Sequence, residues 1–224
     1  MHPWPADLKN QVKLFRELRE HLHQPYIISL VAPPLGKPLA NDLGENLPNI
    51  MEYVDFLNIK TLDYWKFWRH QTGPSAPLYS GIGKERKPSV NDTIFYYLRK
   101  CGGSEKLNLG IGFHGIFWNN VKDSESIGIW NSVETKKGQL ERGKVSWRNV
   151  GNRSMAVWDD ESKTSYIWDK ENRKFLSFEN RKSLRKKMEY FDEKNLGGVT
   201  IWSMEMDDDE ESLLRAISSC GSNQ

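Results

Sequence analysis

The 224-residue chain contains 32 basic and 30 acidic side chains, so its formal net charge at pH 7 is only +2. This balance excludes nucleic acid or an acidic membrane as a partner recognised by overall charge. Nine Trp, eight Tyr and nine Phe form an aromatic content suited to deep clefts or stacking surfaces, and sugars are one ligand class for such surfaces. The length favours a single domain, and no segment approaches the roughly 20 apolar residues needed to cross a bilayer.

The two cysteines, Cys101 and Cys220, are too few for a disulfide framework. Neither has metal-ligand spacing with the five histidines, so we expect no metal and no cofactor. The N-terminal residues lack the basic and apolar pattern of a secretion signal, which leaves the localisation undetermined.

The first half of the chain predicts alternating helices and strands. Leu8, Val12 and Phe15 recur with helical spacing. The run YIISLVA, 26–32, is continuously apolar instead, which is typical of a buried parallel strand. Ser89 is a predicted N-cap and Gly102 a predicted helix stop. The predicted elements are a helix over 7–22, strands over 26–32 and 53–63, and a helix over 89–102.

The second half predicts two further strand and helix pairs and an insertion between them. The predicted elements are strands over 107–113 and 197–202, a helix over 180–197, and a last helix that begins at Asp207–Asp209. This order predicts an α/β fold with a parallel sheet. About sixty extra residues follow the third strand, too many for an ordinary connection of roughly 2 to 6 residues. Three short β-rich runs within them, 153–160, 164–170 and 174–178, predict an antiparallel meander.

Candidate site residues follow the predicted strands, because ligands of α/β sheets and barrels bind beyond the carboxyl ends of the strands. Asp63 could face a ligand or be structural, and Trp202 could stack on a ligand or fill a core. His114 has no Ser, Cys or second metal-spaced His partner, so packing or hydrogen bonding is favoured over catalysis. The acids at Asp207–Asp209 are expected mainly to begin a helix.

The order of these segments resembles the C-terminal half of family 18 glycoside hydrolases, the chitinases and chitinase-like lectins. FLNIKTLDYW resembles barrel strand six, LNLGIGFHGIFW strand seven, and the segment 178–208 the last helix and strand eight. The resemblance implies an α/β fold that is a partial (β/α)8 TIM barrel, strands five to eight with their helices, carrying a small α+β insertion after strand seven. The implied domains are 1–116 and 179–224 for the barrel and 117–178 for the insertion.

The resemblance also implies the contacts of a site for chitin or chitooligosaccharides. Trp202 would lie beneath the sugar, and Asp63 would orient the acetamido group that acts as nucleophile. His114 and Trp118 are further expected substrate contacts, and Leu62 is another, although it stands where the family has a Tyr. Ile116 stands where an Arg usually follows the Gly.

The family's general acid is the Glu of an Asp-x-x-Asp-x-Asp-x-Glu octet at the end of strand four, and no such octet occurs in these 224 residues. We therefore expect that the chain is not an enzyme and binds chitin oligosaccharides weakly. Two alternatives stay open: a chain without independent activity, and residual glycosidase chemistry through Asp63 or Asp207. A partial barrel would have an unpaired edge strand, which leaves two explanations open: a truncated part of a longer chitinase-like protein, or a chain whose edge is covered by a partner chain.

Overall fold

The computed structural model describes residues 5–35, 38–65, 70–81, 87–122 and 129–219. The described residues form five α-helices: α1 Pro5–His21, α2 Pro38–Ile50, α3 Val90–Cys101, α4 Arg181–Glu193 and α5 Ser212–Ser218. They also form nine strands: β1 Ser29–Ala32, β2 Phe56–Ile59, β3 Leu107–Gly112, β4 His114–Trp118, β5 Arg142–Ser146, β6 Val157–Asp159, β7 Thr164–Asp169, β8 Lys174–Phe178 and β9 Gly198–Trp202.

Four of the strands form a parallel sheet in the order β1-β2-β3-β9. The α/β class and the parallel sheet predicted from the sequence are thus confirmed. Strand β1 begins three residues later than predicted and β2 is shorter at both ends, because only residues that form the ladder with a neighbouring strand count as strand. The sheet brings the carboxyl ends of β2, β3 and β9 to one edge.

The two faces of the parallel sheet differ in chemistry. The outer face packs against the helices and is apolar: Leu57, Ile59, Leu107, Leu109, Ile111, Val199 and Ile201. Apart from Val31 and Trp202, the named residues of the inner face are polar or glycine: Asn58, Lys60, Asn108, Gly110, Gly112, Gly198 and Thr200. Asn58 Oδ1 accepts hydrogen bonds from Asn108 Nδ2 at 2.9 Å and Thr200 Oγ1 at 2.6 Å, which ties the three strands together on this face.

Helix α3 begins and ends as the sequence predicts. The Ser89 side chain accepts from the backbone N–H of Asp92, whose carboxylate accepts from the Ser89 backbone in return, a reciprocal capping box. Gly102 ends the helix with a φ of 74°, in the left-handed region that glycine adopts without strain.

Helix α2 was not expected from the sequence. Gly44 and Pro48 lie within it, and both residue types disfavour helix interiors. Leu43, Leu47 and Ile50 nevertheless share one buried face. A Cβ on Gly44 would lie 1.9 Å from Tyr96 Oη, so the glycine permits close packing of α2 on α3. Tertiary packing therefore outweighs the weak local preference.

The remaining five strands form an antiparallel sheet in the order β5-β4-β8-β7-β6. The predicted meander corresponds to β6, β7 and β8 and is confirmed. Two further strands, β4 and β5, extend it, so the sheet begins at His114, two residues before the end of the predicted 1–116 domain. One face of this sheet packs around Trp118 and Phe175 in a second small core.

Candidate functional site

Three side chains from distant parts of the chain meet at the carboxyl edge of the parallel sheet. Asp63 Oδ1 lies 2.8 Å from His114 Nε2, and Asp63 Oδ2 accepts from Lys144 Nζ at 2.6 Å. Asp63 follows β2, His114 is the first residue of β4, and Lys144 lies in the middle of β5. The cluster therefore joins the two sheets through one carboxylate.

The environment of Asp63 favours its charged form. Burial of the side chain raises its pKa, but hydrogen bonds from His114 and Lys144, together with their Coulombic attraction, outweigh burial and lower the pKa to about 2. Asp63 is therefore an acceptor rather than a proton donor near neutral pH. Both of its oxygens are occupied by these two partners.

Backbone geometry holds His114 against Asp63. The Phe113 N–H donates to Trp202 O, and the Trp147 N–H donates to Phe113 O, both at 2.9 Å, so the residue before His114 is fixed between the two sheets. A Cβ on Gly112 would lie 2.9 Å from His114 Cε1, so the imidazole occupies space that a glycine leaves open. His114 Nδ1 is buried and has no hydrogen-bond partner among the described residues.

Trp202 lies at the same edge, on the inner face of the sheet. It pairs with Gly112 in the β3-β9 ladder, and 53% of the residue is exposed. Its indole ring lies under Lys60 Nζ, which is 5.1 Å from the ring centroid. The sequence left open a core or a ligand-facing position for Trp202, and the structure places the ring on the exposed inner face.

Three of the expected contact residues lie inside the protein, and one of them is His114, which is 4% exposed. Trp118 is 0% exposed and contacts Phe175, with ring centroids 5.9 Å apart, so it fills the second core and presents no surface to a ligand. The expectation of a substrate contact at Trp118 is therefore wrong, because alternation along β4 turns this ring into the core. Leu62 is 4% exposed and also lies below the surface.

Asp207 and Asp208 have structural roles as expected, but α5 begins at Ser212 and not at Asp207–Asp209 as predicted. Asp207 accepts from the backbone N–H groups of Leu213 and Leu214 at 3.2 and 2.9 Å. Asp208 accepts from Trp147 Nε1 and Arg153 Nη1, both at 2.8 Å. Burial raises the pKa of Asp208, but hydrogen bonds from Ser212, Arg153 and Trp147 lower it to about 2.

Sequence reasoning missed Lys60 and Lys144. Lys60 lies two residues after Asn58, so alternation along the predicted strand over 53–63 places both side chains on the same face of the sheet. Lys144 lies 81 positions from Asp63 in a strand that was not predicted, and nothing local identified it.

The described residues contain no group of three or more His, Cys, Asp or Glu side chains arranged to hold a metal ion. None of their helices combines the length and the apolarity that crossing a membrane requires.

Comparison with known proteins identifies the family. The model of "Glycosyl hydrolases family 18" matches residues 3–207. The chain belongs to glycosyl hydrolase family 18. Its α/β fold is that of chitinases of known structure: the chitinase ChiW from Paenibacillus sp. superposes with a TM-score of 0.85 and 25% identity over 99% of this chain and 26% of that one.

Two of the similar relatives are described as chitinases. A probable chitinase 2 of Drosophila melanogaster is 27% identical over 222 residues, covering 91% of this chain and 44% of the relative. Chitinase A1 of Niallia circulans is 24% identical over 228 residues, covering 91% of this chain and 32% of the relative. The chain thus spans less than half the length of these two relatives.

The expectation that the chain is not an enzyme is wrong. The family is one of glycosyl hydrolases, and the relatives are named as chitinases, which are enzymes. The expectation depended on the absence of an acidic octet from these 224 residues. The matching relatives are more than twice as long as this chain. The absence of the octet from these 224 residues is therefore not evidence that a full-length family 18 protein lacks activity.

Proposed function

We propose that the chain forms the C-terminal half of a family 18 (β/α)8 barrel and supplies substrate-binding residues for the hydrolysis of chitin. The observation on which this depends is the position of Trp202, half-exposed on the inner face of the sheet and paired in the β3-β9 ladder with Gly112, which abuts His114. An aromatic ring beside a polar cluster at the carboxyl ends of parallel strands is a typical sugar subsite.

In this proposal each residue of the site has a separate role. The Trp202 ring stacks on the apolar face of an N-acetylglucosamine ring. Asp63 remains ionised and holds Lys144 in place through its carboxylate, while the buried imidazole of His114 contacts the other carboxylate oxygen from beneath. The Lys144 side chain is 38% exposed, so its ammonium can also donate to the acetamido oxygen or a hydroxyl of the sugar.

The inner face of the parallel sheet supports the proposal of a barrel. In a closed barrel such a face is the packed interior, opposite other strands. Here Val31 on the inner side of β1 is 64% exposed, although it is an apolar strand residue. We propose that another protein segment, from a longer chain or a partner chain, covers this face and the edge of β1.

The proposed sugar site is tested by titration of the protein with N-acetylchitotetraose, followed by calorimetry. We expect binding with a Kd near the millimolar range, because one stacked ring and a few exposed polar contacts give about 4 kcal/mol. Trp202→Ala should abolish the heat of binding. Trp158→Ala removes a tryptophan from β6 instead and should leave it unchanged. Absence of binding at several millimolar sugar would reject the proposal.

The barrel is tested with 8-anilinonaphthalene-1-sulfonate, which fluoresces on accessible apolar surface. We expect dye binding at the exposed Val31 and Trp202 of the 224-residue chain, and reduced dye binding after Val31→Ser. A dye signal at the level of an ordinary closed domain would argue that the sheet face is not an uncovered barrel interior.

A further inference from the structure

A single cation lies beside Trp202 on the described part of the inner face. Lys60 Nζ is 5.1 Å from the centroid of the Trp202 ring, within the distance of a cation–π contact. Lys60 directly follows β2, and its backbone N–H donates to Ala32 O at 2.8 Å, which continues the β1-β2 ladder. The sheet therefore fixes the backbone position of Lys60.

The strand between Lys60 and Trp202 contributes only glycines to the inner face at this level. Strand β3 lies between β2 and β9, and its inner-face residues at this level are Gly110 and Gly112. A Cβ on Gly110 would lie 2.3 Å from Ile59 O, so the close backbone approach itself requires glycine there. The His114 ring fills the space over Gly112, so no side chain of β3 itself separates the ammonium from the indole.

The charge of Lys60 has no ion-pair partner in the described part of the chain. Asp63, three residues further along, has one oxygen on His114 and the other on Lys144. Asn58 Oδ1, the inner-face acceptor two residues before Lys60, is occupied by Asn108 and Thr200. Because Asp63 balances Lys144, Lys60 leaves this site with one unmatched positive charge.

We propose that Lys60 makes the Trp202 site prefer amino sugars that bear an acidic group, a carboxylate or a sulfate, over neutral N-acetylglucosamine. This inference rests on the proposed function. A sugar that stacks on Trp202 removes water from the adjacent ammonium, and a neutral sugar compensates that loss only with hydroxyl groups. An anionic substituent on the stacked ring or its neighbour accepts a charge-assisted hydrogen bond from Lys60 instead.

The test compares three tetrasaccharides with the same β-1,4-linked backbone. The first is N-acetylchitotetraose. The second alternates N-acetylglucosamine with N-acetylmuramic acid, whose 3-O-lactyl group bears a carboxylate. The third is the second with its carboxylates converted to amides, which keeps the shape and removes the charge. We expect the acidic ligand to bind about tenfold more tightly than its amide, since one charge-assisted contact at a half-exposed site contributes about that factor.

Lys60→Met keeps an unbranched side chain over Trp202 and removes the charge. In this variant we expect equal affinity for the acidic ligand and its amide. Lys182→Met is the matched control, because Lys182 Nζ lies over the Trp158 ring, 4.2 Å from its centroid, in the other sheet. The control should keep the preference. Raising the salt concentration from about 0.05 M to about 0.5 M should narrow the preference of the unaltered protein, because salt screens half-exposed charges.

The outcomes separate this inference from the proposed function. The unaltered protein could bind the acidic ligand and its amide with equal affinity, and N-acetylchitotetraose could displace both. That result would overturn the role of Lys60 but would still support the sugar site. A preference that survives Lys60→Met would also overturn it. Failure of all three tetrasaccharides to bind would overturn both the inference and the sugar site.

Discussion

His114 Nε2 and Asp63 Oδ1 are 2.8 Å apart, and this contact joins the first strand of the antiparallel sheet to the end of β2 in the parallel sheet. Lys144 adds a second bond to the same carboxylate at 2.6 Å. The candidate site is therefore also a structural junction, and changes at the junction should affect stability as well as ligand binding.

Replacing Asp63 with Asn should destabilise the protein by about 1–2 kcal/mol. The amide cannot satisfy the positive charge of Lys144, and one of its two polar ends is a donor that faces another donor. The loss is smaller than for a fully buried pair because the Lys144 side chain is 38% exposed. Urea denaturation measures the change.

Asp160→Asn is the control for that substitution. The Asp160 side chain is 83% exposed and pairs with Lys163, so its replacement should leave the urea midpoint nearly unchanged. Equal effects of the two substitutions would contradict a structural role for the Asp63 cluster.

The stability of the protein should decrease in acid through Asp63. Its folded-state pKa, about 2, lies below the usual value of 3.8, so the charged form is favoured by folding. The contribution is therefore fully present above pH 4 and is lost as the pH falls from about 4 to about 2, with a size of about 2 kcal/mol. Urea midpoints measured across this pH range test it.

Asp208 has a similarly lowered pKa and contributes to the same acid transition. The Asp63→Asn variant should therefore show a shallower decrease in stability between pH 4 and pH 2, and not a flat profile. If the stability of the variant decreased with the same slope against pH as that of the unaltered protein, folding would not favour the charged form of Asp63.

Gly112→Ala should displace His114. The added Cβ would lie 2.9 Å from His114 Cε1, so the imidazole could remain bonded to Asp63 only if the ring or the backbone shifted. We expect a loss of about 1–3 kcal/mol, as for other overpacked sites. In an NMR titration, the Asp63 carboxyl group should also protonate at a higher pH because it loses the bond to His114.

Gly151→Ala is the matched control, because a Cβ at Gly151 has no heavy atom within 4 Å and its φ is not in the left-handed region. It should be neutral or slightly stabilising, since alanine restricts the unfolded chain. A loss at Gly151 as large as that at Gly112 would show that contact with His114 is not the cause.

Trp118 and Trp202 should respond to substitution in opposite ways. Trp118→Ala removes a ring that is 0% exposed and should cost about 3–5 kcal/mol of stability. Trp202→Ala removes a ring that is half-exposed, and we expect less than about 1 kcal/mol of stability loss together with loss of sugar binding. Thermal and urea denaturation measure the first effect and calorimetric titration the second. A severe loss of stability in Trp202→Ala would contradict the position of the ring outside the core.

Much of the α/β framework could be predicted from local pattern. The Ser89 capping box, the left-handed Gly102 and the continuous apolar run of β3 are short-range features whose physical cause lies within a few residues. Helix α2 could not, because its helical state depends on burial of Leu43 and Leu47 and on the contact of Gly44 with Tyr96 in another helix. Trp118 was misassigned because β4 was not predicted, so its position on the core-facing side of that strand could not be seen from the sequence.

The sequence by itself determined the parallel strands, the inserted meander and the presence of Asp63, His114 and Trp202 near strand ends, because strand and cap signals are local and strand ends share one edge. Only the tertiary structure decided that Lys144 holds Asp63, that Lys60 lies over Trp202 and that Trp118 is in a core. Those relationships depend on the register between strands and on which side chains pack together, and neither is encoded in any short stretch of the chain.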